Sequence, residues 1–103
     1  MDQLFNGRTT FNDDISNWDT SNVESMIGTF QDAEQFDQDI SSWNVSKVDN
    51  MSNMFFNAFL FNQDIGSWDT SSVTDMKQTF RGAKAFNQPI TSAPNRWDVR
   101  SVT

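Results

Sequence analysis

The residues of this chain with the most capacity for chemistry are acidic or amide side chains that recur every 25 positions. The first series consists of Asp14, Asp39 and Asp64, and the second consists of Asp19, Asn44, Asp69 and Asp98. Histidine and cysteine are absent, which excludes histidine-based catalytic triads, thiol catalysis and the usual zinc sites. Carboxylates are therefore the candidate ligands and the candidate acid–base groups.

Two interpretations of the first series remain open. Like charges repel when they are stacked at the spacing of neighbouring chain segments. The repulsion among Asp14, Asp39 and Asp64 must therefore be offset by other interactions. In one interpretation each carboxylate accepts hydrogen bonds from backbone N–H groups of its own turn. In the other, the column, helped by Asn62 or Asp37, binds Ca²⁺ through oxygen ligands. The spacing lacks the density of a dedicated calcium loop, so we favour the turn interpretation and predict no cofactor.

Catalysis by the carboxylates is not expected. Acid–base pairs need a cleft and two unlike environments, whereas a repeated column gives every aspartate similar surroundings. The sequence therefore predicts that the protein is not an enzyme. We expect the second series to point outward and to contact a partner. The alternative is a solvated surface that keeps the protein soluble.

These aspartates belong to a 25-residue repeat that also contains the large apolar residues. We expect a single domain over residues 1–103, with repeats at approximately 1–25, 26–50, 51–75 and 76–103. Ser92-Ala93-Pro94-Asn95 is interpreted as an insertion in the last repeat. The predicted core consists of stacked columns: Phe11, Phe36, Phe61 and Phe86; Ile15, Ile40, Ile65 and Ile90; Trp18, Trp43, Trp68 and Trp97; Met26, Met51 and Met76; Phe30, Phe55 and Phe80.

Local patterns within each repeat predict two short elements. Met26, Phe30 and Ala33 are spaced i, i+4 and i+7, which is typical of one side of a short helix. Residues 15–20 alternate in a way that indicates a short extended segment, and the Asn- and Gln-rich residues before such segments indicate turns. We therefore predict an α/β repeat, with a short parallel sheet on one side and short α or 3₁₀ helices on the other.

The net charge and the hydropathy of the chain limit the classes of partner that it is expected to bind. Seven Lys and Arg against fourteen Asp and Glu give a net charge of −7, so nucleic acid is not an expected partner. No stretch of the sequence is apolar over the length needed to cross a membrane, so membrane insertion is not expected either.

Phe56, Phe59 and Leu60 replace Gln31, Glu34 and Gln35 of the preceding repeat. They predict an apolar contact surface, unless a loop partly buries them.

The motif as a whole resembles a known family. Residues 61–76 read FNQDIGSWDTSSVTDM, which is similar to the BspA-like, Mycoplasma-lipoprotein type 25-residue repeat of bacterial surface proteins, a divergent relative of leucine-rich repeats. The resemblance implies a leucine-rich-repeat-like solenoid of about four coils. It also implies an extracellular or cell-surface location and a role in adhesion and protein binding. The insertion before Trp97 and the presence of Pro89, where other repeats have Asp, depart from the pattern.

Two functions follow as expectations. The first is a non-enzymatic surface module that binds a protein or cell-surface ligand through its outward sheet face. The second is self-assembly, because neither terminus has a polar capping repeat, so that open ends stack end to end into filaments.

Overall fold

The computed structural model describes residues 1–90, and within them consecutive 25-residue coils lie directly on one another. Backbone N–H groups in one coil donate to carbonyls 24 positions further along the chain. Phe5 donates to Thr29 at 2.9 Å, and Phe30 donates to Met54 at 2.8 Å. Since a single coil cannot bury its own apolar side chains, each coil depends on its neighbours for a core. The insertion at residues 92–95 lies outside the described residues.

The predicted α/β architecture is wrong. Residues 1–90 contain no helix, and their only β structure is a pair of isolated parallel bridges, Ser25 with Asn50 and Asn50 with Asp75. Neither the predicted parallel sheet nor the predicted row of helices is formed, so the leucine-rich-repeat-like solenoid is corrected to a stack of turn-rich coils. No helix in this part of the chain is long and apolar enough to cross a membrane.

The predicted helix after Met26 is replaced by consecutive tight turns. Gly28 and Asp32 have φ of +59° and +58°, values that interrupt a right-handed helix. The N–H groups then alternate in direction: those of Thr29 and Gln31 bond to carbonyls three residues back, whereas those of Gly28 and Phe30 bond to the next coil. In an α-helix every interior N–H would bond within its own segment. The contacts between coils therefore replace the helix.

The predicted strand over residues 15–20 is also a series of turns. The Trp18 N–H donates to the Ile15 carbonyl at 3.2 Å, and the Val23 N–H donates to the Thr20 carbonyl at 3.0 Å. A chain that turns every few residues cannot remain extended, and these amides are no longer available for a β ladder. The polar residues of this part of each coil consequently lie on turns.

Phenylalanine rings form two columns at the centre of the stack. Rings of the first column are 5.5 to 5.6 Å apart, and rings of the second are 5.8 to 5.9 Å apart. The first column comprises Phe5, Phe30, Phe55 and Phe80, and the second comprises Phe11, Phe36, Phe61 and Phe86. Within each coil the two columns stack at 4.1 to 4.3 Å. These large rings concentrate apolar surface in the core of a chain that is only 36% hydrophobic.

The other predicted core columns differ in burial along the stack. Ile15, Ile40, Ile65, Met26, Met51 and Met76 are buried, and Phe11, Phe80, Phe86 and Ile90 are half-buried against the same core. Trp43 and Trp68 are only 3% and 2% exposed, whereas Trp18 in the first coil is 44% exposed. Trp97 lies outside the described residues.

The buried tryptophans also fix the register between coils. The Trp43 indole N–H donates to the Ile15 carbonyl at 3.0 Å, and the Trp68 indole N–H donates to the Ile40 carbonyl at 3.1 Å. Each bond joins a coil to the one before it at a buried position. A shift of one residue would leave both buried indole N–H groups without an acceptor, which is costly in an apolar environment.

Asn and Asp side chains connect the coils on the outside. The Oδ1 atoms of Asn12, Asp37 and Asn62 each accept the backbone N–H of the residue 25 positions later, all at 2.9 Å. Gln63 Nε2 adds a bond to the Asp37 carbonyl at 3.0 Å. Residues that the sequence indicated as turn formers thus also join neighbouring coils.

Candidate binding surface

The predicted contact residues of the second series lie on exposed turns. Asp19 Oδ1 accepts the Ser21 N–H at 3.0 Å and the Ser21 hydroxyl at 2.6 Å. Asn44 Oδ1 accepts the corresponding groups of Ser46 at 3.0 and 2.7 Å. Asp69 Oδ1 accepts the Ser71 N–H at 3.0 Å, and all three side chains are exposed. Each is an Asx turn, in which the side chain is held by its own backbone. Asp98 lies outside the described residues.

The first series adopts the same geometry five residues earlier in each coil. The Oδ1 atoms of Asp14 and Asp39 accept the N–H groups of Ser16 and Ser41, each at 2.9 Å, and Asp64 accepts that of Gly66 at 3.0 Å. All three aspartates are exposed. Across residues 1–90, no group of three or more acidic side chains is arranged so that it could hold a metal ion. The structure thus places these residues in turn hydrogen bonds.

An open polar depression lies between the first two coils on this side of the molecule. Its volume is about 320 Å³, and it is lined by Asp14, Ser16, Gln38, Asp39, Ser41 and Ser42. Small-molecule pockets are usually lined mainly by apolar side chains, and none of these residues is apolar. The depression is better suited to polar groups that reach in from a larger partner.

The turn hydrogen bonds alter the acidity of the aspartates. The Ser21 hydroxyl and then its N–H lower the pKa of Asp19, and the same groups of Ser16 lower the pKa of Asp14. Ser71 lowers the pKa of Asp69 in the same way. Ser41 lowers the pKa of Asp39, with a small opposing contribution from the charge of Asp14. These carboxylates are therefore ionised at neutral pH and act as charged acceptors.

A pH dependence of stability follows from these shifts. A carboxyl whose pKa is lower in the folded state than in the unfolded state stabilises the fold at pH values above the unfolded-state pKa. That contribution is lost as the pH falls through the folded-state pKa. We expect the unfolding free energy to fall with pH below about 3.8, the ordinary aspartate value. Urea unfolding at a series of pH values from 7 to 2.5 measures the unfolding free energy as a function of pH.

The matched variant replaces Asp14, Asp19, Asp39 and Asp69 with Asn. Asn44 already forms the same turn with an amide oxygen, so the turns should persist while their titration disappears. We expect a shallower loss of stability in acid than in the wild type. An unchanged acid profile would show that these turns do not contribute to the pH dependence.

The serines of these turns were not identified from the sequence. The detectable signal is Asp or Asn followed two residues later by Ser. It occurs at Asp14-Ile15-Ser16, Asp19-Thr20-Ser21, Asp39-Ile40-Ser41, Asn44-Val45-Ser46, Asn50-Met51-Ser52 and Asp69-Thr70-Ser71. Such a pair is favoured where a side chain caps its own turn. In this chain it predicts exposed acceptors at regular positions along the stack.

Comparison with known proteins gives a family but no activity. A family model described as "Mycoplasma protein of unknown function, DUF285" matches residues 1–93. Neither the curated proteins nor the solved structures include a significant match. The family match agrees with the Mycoplasma part of the resemblance found in the sequence and does not extend to the BspA-like assignment specifically. The match covers most of the chain, which therefore belongs to the Mycoplasma family DUF285, whose function is unknown.

Proposed function

We propose that this chain is a non-catalytic repeat module of a bacterial surface protein and that it binds a basic segment of another protein. The binding surface is the Asx-turn surface, which we define as Asp14, Asp19, Asp39, Asn44, Asp64 and Asp69. An extracellular location and the BspA-like adhesive role are part of this proposal. The outward sheet expected from the sequence is not its basis, because the same side chains lie on turns.

The main support is the combination of exposure and fixed geometry. Asp19 uses Oδ1 for both of its bonds to Ser21, so Oδ2 remains available to an external donor. Since the turn already restrains the side chain, less conformational entropy is lost when a partner binds. Repetition in successive coils presents several such acceptors at a constant spacing.

Charge determines the chemistry of the partner. The chain carries a net charge of −7, and the lowered pKa values keep Asp14, Asp19, Asp39 and Asp69 ionised. Lys and Arg side chains are the complementary groups, and arginine can bond two oxygens of a carboxylate at once. An acidic surface also accelerates the encounter with a basic partner, an effect that salt weakens.

The same geometry argues against catalysis. Acid–base enzymes rely on two carboxyls whose environments move their pKa values apart. Here the resolved shifts of the four aspartates have the same direction and the same kind of cause. None of these groups is set up to hold a proton at neutral pH for transfer to a substrate.

The test compares two variants of equal charge. In the first, Asp19, Asp39 and Asp69 become Asn, which retains the turns. In the control, Glu24→Gln, Asp49→Asn and Asp75→Asn remove three charges outside the surface. We expect the first variant to bind a short oligo-lysine peptide at least about tenfold more weakly, since it loses three charged acceptors of one surface. We expect the control to change affinity by less than about threefold.

Calorimetric titration at low ionic strength measures both affinities, and circular dichroism checks that the variants fold. Equal losses in the two variants would mean that only net charge matters and that the surface is wrongly assigned. Unchanged affinity in the first variant would also show that the surface is wrongly assigned.

One observation favours the second candidate function, end-to-end assembly. Trp43 and Trp68 are covered by the preceding coil and donate to its carbonyl, whereas Trp18 is 44% exposed. A further coil of the same kind, placed on the first, would give Trp18 the same surroundings. Electron microscopy at micromolar concentration distinguishes this function, because it requires fibres of indefinite length. Particles of fixed small size would rule it out.

A further inference from the structure

An apolar patch is formed by residues that do not belong to the proposed binding surface. In the third coil, Phe56, Phe59 and Leu60 occupy positions that are polar in the second. Leu60 is 52% exposed, and Phe56 and Phe59 are half-buried. None of the three belongs to the core or packs against it. We call these residues the lateral patch, and exposed apolar groups of this kind commonly mark contact surfaces.

Charges of opposite sign flank the lateral patch along the stack. Glu34, Phe59 and Lys84 are 25 residues apart in one column, and Gln31, Phe56 and Arg81 form another. The columns are aligned by backbone bonds: the Leu60 N–H donates to the Glu34 carbonyl at 3.2 Å. An acidic group therefore lies one coil before the patch, and two basic groups lie one coil after it.

The basic side is in contact with the patch itself. Lys84 Nζ is 4.7 Å from the centre of the Phe59 ring, within the range of a cation–π contact. Within residues 1–90, Lys84, Arg81 and Glu34 form no ion pair. Their charges are therefore available to a partner at the edges of the apolar area.

We propose that the lateral patch is the interface of a symmetric dimer, in which a second copy of this chain packs against it in antiparallel orientation. The twofold axis crosses the third coil and lies in the plane of the interface. It places the third coil of one copy on the third coil of the other, and the second coil on the fourth. Apolar residues then meet apolar residues, and Glu34 faces Lys84 of the second copy.

The order of the charges is what selects this partner. In the antiparallel arrangement both Glu34–Lys84 contacts form, and Arg81 lies opposite Gln31 beside Asp32. In a parallel arrangement Glu34 would face Glu34 and Lys84 would face Lys84, which is repulsive. A surface complementary to its own rotated copy is the requirement for an isologous interface. The patch is small, and the net charge of −7 opposes association, so the dimer is weak, with Kd on the order of micromolar.

Sedimentation equilibrium tests the proposal over a concentration series up to about 100 µM, well above the Kd that a small interface predicts. We expect the mass to rise from that of the 11.8 kDa chain toward twice that value. Leu60→Asp places a charge at the centre of the interface in both copies and should weaken the dimer at least thirtyfold, the roughly 2 kcal/mol typical of a central residue. Lys84→Glu should weaken it similarly. Lys47→Glu is an equal charge change at another exposed position. It should weaken the dimer far less than Lys84→Glu does, because it changes only the net charge.

A charge-exchange experiment identifies the partner residues. Glu34→Lys alone and Lys84→Glu alone each create two repulsive contacts, so each variant should associate much more weakly than the wild type. Mixed together, they should form a heterodimer, because each contact then joins Lys to Glu. The double variant Glu34→Lys/Lys84→Glu should dimerise by itself. Thermal melts of every variant confirm that it is folded; Leu60 is exposed, so its replacement should leave the melting temperature of the monomer nearly unchanged.

Several results would overturn the proposal. A monomer at every concentration, a dimer unaffected by Leu60→Asp, or a failure of the two single-charge variants to associate when mixed would each do so. Masses that continue to grow beyond two copies would favour end-to-end stacking instead. The variant with Asn at Asp19, Asp39 and Asp69 should lose oligo-lysine binding and still form the dimer. That result would show that the lateral patch and the Asx-turn surface act independently.

Discussion

Replacing Phe55 with alanine is expected to lower the unfolding free energy by about 3–5 kcal/mol, the usual range for deletion of a fully buried aromatic ring. The Phe55 side chain has 0% exposure. Its ring stacks on Phe30 at 5.5 Å, on Phe61 at 4.1 Å and on Phe80 at 5.6 Å. The substitution therefore opens a cavity that touches three coils at once. Urea unfolding followed by circular dichroism measures the change.

Phe59 provides the matched control, because it is the same residue type in the same coil. It is half-buried and lies outside the core, and its ring contacts the Lys84 ammonium group. We expect Phe59→Ala to cost about 1 kcal/mol or less, measured at low protein concentration so that association does not contribute. Similar losses in the two variants would show that the phenylalanine columns are not the main source of stability.

A second large effect is expected at Trp43. Trp43→Phe removes the indole N–H that donates to the Ile15 carbonyl at 3.0 Å, at a position only 3% exposed. The Ile15 carbonyl keeps the Trp18 N–H, so loss of the indole bond costs about 0.5–1.5 kcal/mol, and the smaller ring adds a cavity. We expect a total loss of about 2–4 kcal/mol in unfolding free energy.

Trp18→Phe is the corresponding control. Trp18 occupies the same position in the first coil but is 44% exposed. Substitution there should cost no more than about 1 kcal/mol. Urea unfolding of the two variants under identical conditions gives the comparison. If Trp18→Phe were as destabilising as Trp43→Phe, the bond to the preceding coil would not explain the effect.

The 25-residue register could be read from the sequence, because large apolar side chains recur at constant intervals. The local conformation could not. Met26, Phe30 and Ala33 have the spacing of a helix side, but the same three side chains also point inward from a run of tight turns. The deciding feature is left-handed backbone, which recurs at one position of every coil in Gly7, Asp32, Asn57 and Gly82. Gly, Asn and Asp adopt this conformation most readily, so this column was the available signal against a helix.

The candidate site shows a similar division. Exposure of Asp19, Asn44 and Asp69 follows from their polarity and their position in the repeat, yet they lie on turns and not on a sheet. The reason is the side-chain oxygen of each residue, which accepts the N–H of the serine two residues later in place of a β-ladder carbonyl. Trp18 differs from Trp43 because burial depends on the neighbouring coil, which no local pattern encodes.

The alternating direction of backbone N–H groups is the feature from which the stacked coils follow. NMR measurement of scalar coupling across hydrogen bonds tests it directly at Phe30. We predict coupling between the Phe30 amide nitrogen and the Met54 carbonyl carbon, which are joined by a 2.8 Å hydrogen bond. Coupling of that nitrogen to the Met26 carbonyl carbon would instead indicate an α-helix and would contradict the account.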